Sequence, residues 1–398
     1  MKSIDIVGGV YGETCAFPTR KQIFGSGGRA AVTLSSPHFE TVRLHTILTP
    51  GAAEQAVPNF DAYDIDVVVH QGQQFISFEY LHCLSVPLVH PPIPNITQQS
   101  SFPVKGELVV QFGMMECRPT IEADVCVYDP QSATSPRLFS GAGSAAGRLA
   151  IVANAREIQL LTGLEVDEGA NRLLRDEKAE VVVAKCGLDG ARVFDGNGLV
   201  GSVPAYVTEN MFTIGSGDVF VAAFALAWGK EKLDAMAAAD FASKSVASYV
   251  ETELLPIPTI AEARQSTRDP VKLAGGNIYL AGPFRELGQR VIINEARKVL
   301  NDLRMRPFSP VHDIGHGPAR AVVQKDLDAI RNCDAVLAIL NGSSPGTLFE
   351  VGFAVALNKP VYCVAQNMRS NDIKLPEGAG CIIHEDFISA LHLLAWRQ

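Results

Sequence analysis

The sequence predicts an α/β protein of two domains, an expectation that rests on three observations. Short apolar runs rich in Val and Ile recur at 65–70, 108–112, 125–128, 181–184, 278–281, 335–340 and 360–364, with helix-like stretches between them. Continuous apolar runs of this length suit strands of a parallel sheet covered on both faces, and the alternation suits layered α/β architecture. The chain has 398 residues, more than one core usually organises. The alternation breaks between 251 and 276, where Pro256, Pro258, Pro270 and the pair Gly275-Gly276 stand among charged residues. Breakers of this kind mark a linker. One domain is therefore expected over 1–265, a linker over 266–276 and a second domain over 277–398.

Composition narrows the function. The net charge is −9 and no long run of Lys or Arg appears. A grip on long nucleic acid needs a basic face, so that partner is not expected. An acidic protein can still hold a small phosphate with one or two Arg and a helix N-terminus. No apolar run approaches the ~20 residues that span a bilayer. The opening, Met1 to Gly9, reads as a strand entering a turn and lacks the features of a signal peptide. The expectation is a cytoplasmic enzyme with small-molecule substrates and neither membrane nor nucleic-acid partners. The eight cysteines include no C-x-x-C pair and read as reduced, buried thiols without a metal.

In the second domain the informative stretch is Ser344-Pro345-Gly346-Thr347-Leu348-Phe349-Glu350-Val351-Gly352. It follows the apolar run 335–340 and opens a predicted helix ending near Asn358. Open α/β sheets bind ligands at such strand-to-helix turns. Gly346 allows close approach of a substrate, Thr347 is a plausible helix N-cap, and Glu350 is expected in the first turn. A carboxylate there can attack a sugar C1′ as a base departs. On the turn alone, it reads as a surface Glu favouring a helix N-terminus.

The surroundings change that weighting. Upstream lies Tyr279-Leu280-Ala281-Gly282-Pro283-Phe284-Arg285. Between the two segments run Asp326 to Ile330 and Asp334, and Lys359-Pro360 follows. In this order and spacing the set resembles the nucleoside 2-deoxyribosyltransferase family, which implies a flavodoxin-like or Rossmann-like doubly wound sheet. The resemblance makes Glu350 the nucleophile, Tyr279 its orienting partner, Asp326 a group near the base and Asp334 structural. Gly282, Gly346 and Thr347 would border the substrate. The transferases carry Asp six residues before the nucleophile, where this chain has Ser344. Family members with Ser there hydrolyse nucleoside 5′-monophosphates, and those acting on CMP or hydroxymethyl-CMP share the S-P-G-T and G-P-F-R wording. A hydroxyl can donate to a phosphate that a carboxylate would repel. Arg285 is either the countercharge to that phosphate or an exposed surface arginine. His312 and His316 are expected in a glycine-bearing loop, and this chemistry implies no metal or cofactor.

In the first domain the sharpest motif is Gly215-Ser216-Gly217-Asp218 opening a long apolar helix. Free N–H groups at a helix start form an anion hole, and Asp218 could take a proton from an attacking hydroxyl. Three further pieces are Gly27-Gly28-Arg29-Ala30-Ala31, Asn154-Ala155-Arg156-Glu157 and Lys185-Cys186-Gly187-Leu188-Asp189-Gly190. Together they resemble the PfkB/ribokinase carbohydrate and nucleoside kinases, implying a ribokinase-like α/β sandwich. By that resemblance Gly27, Gly28 and Glu13 bind sugar. Asn154 and Glu157 arrange Mg²⁺ and phosphates, Gly187 and Gly190 form a nucleotide turn, and Asp218 is the base with ATP as donor. Only some seventeen residues separate Gly9 from Gly27, so the lid strands usual there are expected to be reduced.

The sequence thus points to a fused enzyme of nucleotide metabolism. Its second domain would cleave the N-glycosidic bond of a nucleoside 5′-monophosphate, and its first would phosphorylate a nucleoside or sugar. A base-exchanging transferase and a nucleotide-binding sensor on a kinase scaffold are the alternatives. Both resemblances imply small-molecule substrates. A homo-oligomer is expected, because sites of these families are often completed by a neighbouring subunit.

Overall fold

The apolar runs become strands. The computed structural model describes residues 1–397 except Ala133 and His316. The chain divides into two units, Met1–Thr208 with Phe212–Val271, and Lys272–Gln398 with Glu209–Met211. The three residues Glu209–Met211 group with the second unit, and among their contacts are two bonds the sequence does not foreshadow. The Met211 N–H donates to Ser389 Oγ, 2.9 Å away, and Asn210 Oδ1 lies 3.1 Å from His384 Nε2.

Among the described residues of the first unit, thirteen strands form two sheets. They are β1 (Ser3–Val7), β2 (Gly12–Phe17), β3 (Arg20–Ile23), β4 (Thr41–Leu48), β5 (Ile65–Gln71), β6 (Ser77–His82) and β7 (Leu88–His90). The remainder are β8 (Pro103–Phe112), β9 (Thr120–Asp129), β10 (Ala145–Asn154), β11 (Val181–Lys185), β12 (Ala191–Asp195) and β13 (Gly198–Val203). Nine of them pair in the order β13-β12-β11-β10-β9-β8-β1-β4-β5. Pairing is parallel from β11 to β5, and β12 and β13 add an antiparallel edge. Val7, Val109, Cys126, Ile151 and Val182 are essentially inaccessible at the centre of the sheet, as continuous Val/Ile runs require. The turn from β11 into β12 depends on Gly190, at φ +80°. A Cβ there would fall 1.9 Å from the Val203 carbonyl oxygen.

The interval from Gly9 to Gly27 corrects the expectation of a reduced lid. It holds the β2–β3 hairpin, and β6 and β7, from residues 77–90, complete a separate sheet of order β3-β2-β6-β7. The count of residues was right, but a hairpin needs few, and the missing strands enter from far along the chain.

The second unit is a five-stranded parallel sheet of β14 (Asn277–Ala281), β15 (Arg306–Phe308), β16 (Ala335–Ile339), β17 (Val361–Val364) and β18 (Ile382–His384). Its order is β15-β14-β16-β17-β18. The chain leaves β14 towards one edge and returns to β16 on the other side. This reversal opens a crevice at the carboxyl ends of those two strands. Ala281 pairs with Ala338, so the loops that follow them emerge side by side.

Candidate active sites

In the second unit β14 and β16 bring together groups that lie 71 residues apart. Tyr279, fully buried on β14 and stacked on Phe308, donates its hydroxyl to Glu350 Oε1 at 2.9 Å. Glu350 lies on the helix Pro345–Ala356 that leaves β16. Burial pushes its carboxyl up to about 7, the Tyr279 hydroxyl opposes this, and the Asp326 charge adds to it. Asp326, on the helix Ala319–Asn332, has a buried Oδ1 without a hydrogen-bond partner among the described residues. Burial raises its pKa as well. Two carboxyl groups and a tyrosine hydroxyl thus share one partly desolvated site, an arrangement suited to acid–base and nucleophilic work. Asp334 accepts from the Asn277 N–H at 2.7 Å and holds the start of β14.

Two local expectations need correction. The N-cap of the Glu350 helix is Ser344, with Pro345 in the first helical position. Proline is favoured there because its fixed φ suits the helix and its missing N–H costs nothing. Thr347 falls inside the first turn and is buried, and Glu350 lies in the second turn. Ser344 makes no side-chain capping bond, so its hydroxyl is available at a helix start whose first N–H groups have no helical acceptor. Gly346 is exposed in that turn. Gly282 packs tightly, since a Cβ would come within 2.6 Å of Ile293. Arg285 is exposed on the loop after β14, where its backbone N–H donates to Gln289 Oε1 at 3.0 Å. His312 lies in the short helix Pro310–Asp313 and not in a loop, with its ring against Ser309 Oγ and Asn294 Oδ1. His316 lies outside the described residues.

The first unit holds a cavity of about 870 Å³ at the carboxyl ends of its central strands. Glu13, Asn154, Glu157, Gly215, Gly217 and Asp218 all border it. At one end Arg29, 2 % exposed, donates to Asp218 Oδ2 at 2.9 Å and to both oxygens of Glu13. Gln131 Nε2 donates to the other Asp218 oxygen at 2.7 Å. Burial raises the pKa of Asp218 against the opposing pull of Arg29. The buried Ser26 hydroxyl borders the same cavity without a partner among the described residues.

Further along, Lys185 donates to Asp129 Oδ2 at 2.6 Å. Burial disfavours its charge, but the Asp129 and Glu157 carboxylates hold its pKa above the ordinary lysine value. A Cβ on Gly217 would lie 3.6 Å from Lys185 Nζ. The ammonium therefore stands beside the N-terminus of the helix Ser216–Phe224, a natural anion site. Asn154 and Glu157 form a reciprocal capping box on the helix Ala155–Thr162, and burial with Asp129 pushes Glu157 up to about 7.

Other expected site residues lie elsewhere. Gly27 and Gly28 pack the helix Gly25–Thr33: a Cβ would meet the Gly8 carbonyl oxygen at 2.6 Å and the Phe60 ring at 2.6 Å respectively. Ser216, Gly187 and Gly190 are not among the residues bordering the cavity. Arg29, Asp129, Gln131 and Lys185 escaped the sequence reading. Arg29 and Lys185 stood inside quoted motifs as unassigned positions, and only the fold shows what they face.

Residues 124–258 match the model of the pfkB family carbohydrate kinases, and residues 278–387 match that of the nucleoside 2-deoxyribosyltransferases. The chain joins domains of these two families. The pfkB-family domain has a ribokinase-like large mixed sheet and the deoxyribosyltransferase-family domain an all-parallel five-stranded one, both within the expected α/β class. Glu13 and Arg29 precede the matched part of the pfkB-family domain. Among solved structures, a ribokinase from Thermotoga maritima is 15% identical, with 66% of this chain and 98% of that chain covered at a TM-score of 0.47. Phosphofructokinase-2 from Escherichia coli is 14% identical over 67% and 98%, TM-score 0.47. A PfkB protein from Polaromonas sp. is 17% identical over 67% and 100%, TM-score 0.47. Among curated proteins there is no match. No helix of the described residues is long and apolar enough to cross a membrane. All eight cysteines are free thiols, seven of them buried.

Proposed function

We propose that the deoxyribosyltransferase-family domain hydrolyses the N-glycosidic bond of a nucleoside 5′-monophosphate. The observation that carries this reading is the half-buried Glu350 carboxyl held by Tyr279, near an Asp326 carboxyl whose buried Oδ1 has no hydrogen-bond partner among the described residues. A Glu350 oxygen attacks C1′ as the C1′–N bond breaks, and protonated Asp326 gives its proton to the departing base. Water then attacks C1′, its proton returns to Asp326, and the sugar 5-phosphate leaves with Glu350 regenerated. Ser344 and the free N–H groups beside it receive the 5′-phosphate, with Arg285 as countercharge, which favours hydrolysis of a monophosphate over base exchange on a nucleoside. A panel of nucleosides and 5′-monophosphates, followed for free base with and without a second base, tests this. Base-for-base exchange without net hydrolysis would establish the transferase instead.

The pH dependence follows from the same geometry. Glu350 must be ionised to attack, so base release should rise with pH through about 7. Tyr279 donates to that carboxylate and favours its charged form. In Tyr279→Phe the rising limb of the kcat/KM profile should move up by roughly one to two pH units, since a hydrogen bond to a charged group is worth about 1.5–3 kcal/mol and one unit is about 1.4. A limb that stays in place would remove Tyr279 from the reaction.

The pfkB-family domain is read as a binding module for a nucleotide or polyphosphate rather than an active kinase. Lys185 and the Ser216 helix supply an anion site, and the buried Ser26 hydroxyl has no partner among the described residues, which a ligand could supply. Among the described residues no cluster of three or more His, Cys, Asp and Glu is placed to hold a metal. A phosphate-borne Mg²⁺ needs only one or two protein carboxylates, which Asp129 and Glu157 can provide. The expected base Asp218 is ion-paired with the buried Arg29 guanidinium, which lowers its basicity and favours binding over phosphorylation. If the domain did transfer a phosphoryl group, the kinase step would make the substrate of the hydrolase.

A further inference from the structure

A phosphoryl acceptor needs a base with a lone pair free to take its proton, and polar groups free to hold its other hydroxyls. At the acceptor end of the pfkB-family cavity one buried cation engages both carboxylates. Arg29 donates to Asp218 Oδ2, whose second oxygen is taken by Gln131. Its guanidinium also spans the two oxygens of Glu13, one of which accepts from Gln22 Nε2 as well. Its Nε donates to the Tyr249 hydroxyl at 3.1 Å. These are charge-assisted bonds in a site closed to solvent, where a neutral hydroxyl is a poor competitor. Breaking one would leave a buried charge uncompensated.

The position of the guanidinium adds a second argument. Gly215 is the N-cap of the Ser216 helix at φ +81°, and a Cβ on it would lie 2.1 Å from Arg29 Nε. Only glycine leaves room for Arg29 against the mouth of that anion hole. The guanidinium therefore touches the N-cap of the anion site and both carboxylates at once, and fills the space that an acceptor hydroxyl near Asp218 would need.

We propose that Arg29 is a built-in lock: it occupies the acceptor position between Glu13 and Asp218, so the domain holds a nucleotide or polyphosphate without transferring a phosphoryl group to a polyol. The proposal rests on the binding-module reading and explains it by a single residue. Removing the guanidinium frees both carboxylates and opens space for a hydroxyl or a water.

The test compares wild type, Arg29→Asn, Arg29→Lys and the double variant Arg29→Asn/Asp218→Asn in the full chain. Binding of ribose, fructose and cytidine without nucleotide is measured by calorimetry, and ADP formation from ATP–Mg²⁺ with and without those compounds by chromatography. Folding is checked by Tm and by undiminished base release in the other domain. Wild type should bind none of the three measurably and form ADP only at background. Arg29→Asn should bind at least one of them and form ADP, with it or with water as acceptor, at least tenfold faster than wild type. The double variant should lose that ADP formation and keep the binding. Asp218-dependent phosphorylation by wild type would overturn both the lock and the binding-module reading. A folded Arg29→Asn protein that gains neither readout would overturn the lock alone. If Arg29→Asn does not fold, Arg29→Lys decides: its single ammonium cannot span both carboxylates and should give a smaller gain in the same direction. A folded lysine variant matching wild type in both readouts would overturn the proposal.

Discussion

Glu350→Gln should slow base release about a thousandfold or more, with the fold intact. The amide preserves the shape of the carboxyl and can still meet the Tyr279 hydroxyl, but it carries no charge with which to attack C1′. Losing a nucleophile removes the covalent route altogether and leaves only what binding and the remaining groups can do. The expected stability change has the opposite sign. Burial already pushes the Glu350 carboxyl up to about 7, meaning that the folded protein pays to ionise it at higher pH. A neutral amide is spared that cost, so the Tm at pH 8 should be unchanged or higher. The measurements are free base by chromatography and the melting temperature of both proteins. Base release near the wild-type rate would sink the nucleophile assignment, and a lower Tm would point to a structural Glu.

Ser344→Asp should lower kcat/KM for a nucleoside 5′-monophosphate at least a hundredfold relative to the matching nucleoside. Two effects combine. The substitution removes a hydrogen-bond donor to a charged acceptor, worth roughly 1.5–3 kcal/mol. It also places a carboxylate near the phosphate, and at about 4 Å with an effective dielectric of ~20 the repulsion is roughly 4 kcal/mol per charge pair, less where water penetrates. Each ~1.4 kcal/mol is a factor of ten in rate. Loss of the fold would not mimic this result, because Asp is a good N-cap and its charge favours a helix N-terminus. Nucleoside cleavage should survive or improve, since Asp can accept from a 5′-hydroxyl. An unchanged ratio of the two kcat/KM values would mean that Ser344 does not face the 5′ end, and the choice of hydrolase over transferase would lose its main support.

The Glu350 turn was legible because its information is local. A Val/Ile strand, a small-residue turn and a helix lie within a score of residues, and parallel pairing then brings Tyr279 beside it. The N-cap was misread although its signal was present: Pro345 claims the first helical position, which leaves Ser344 and not Thr347 before it. The Arg29 cluster was illegible for a different reason. Its partners Glu13 and Asp218 stand 16 and 189 positions away, and no periodicity or composition links them. The short strands β6 and β7 escaped as well, because strands half exposed on a small sheet carry no continuous apolar run.

That small sheet also sets an order of events during folding. The β2–β3 hairpin can close early, because its partners are near neighbours. Its parallel partner β6 lies more than sixty residues further on, beyond β4 and β5, which belong to the other sheet. Parallel pairing over such a span bears a loop-closure cost before any contact repays it. The central sheet bears a still longer closure where β1 meets β8, so the rim carrying Glu13 and the strands beneath it both wait on distant partners, and the cavity acquires its charged end only when the long-range contacts of the chain are in place.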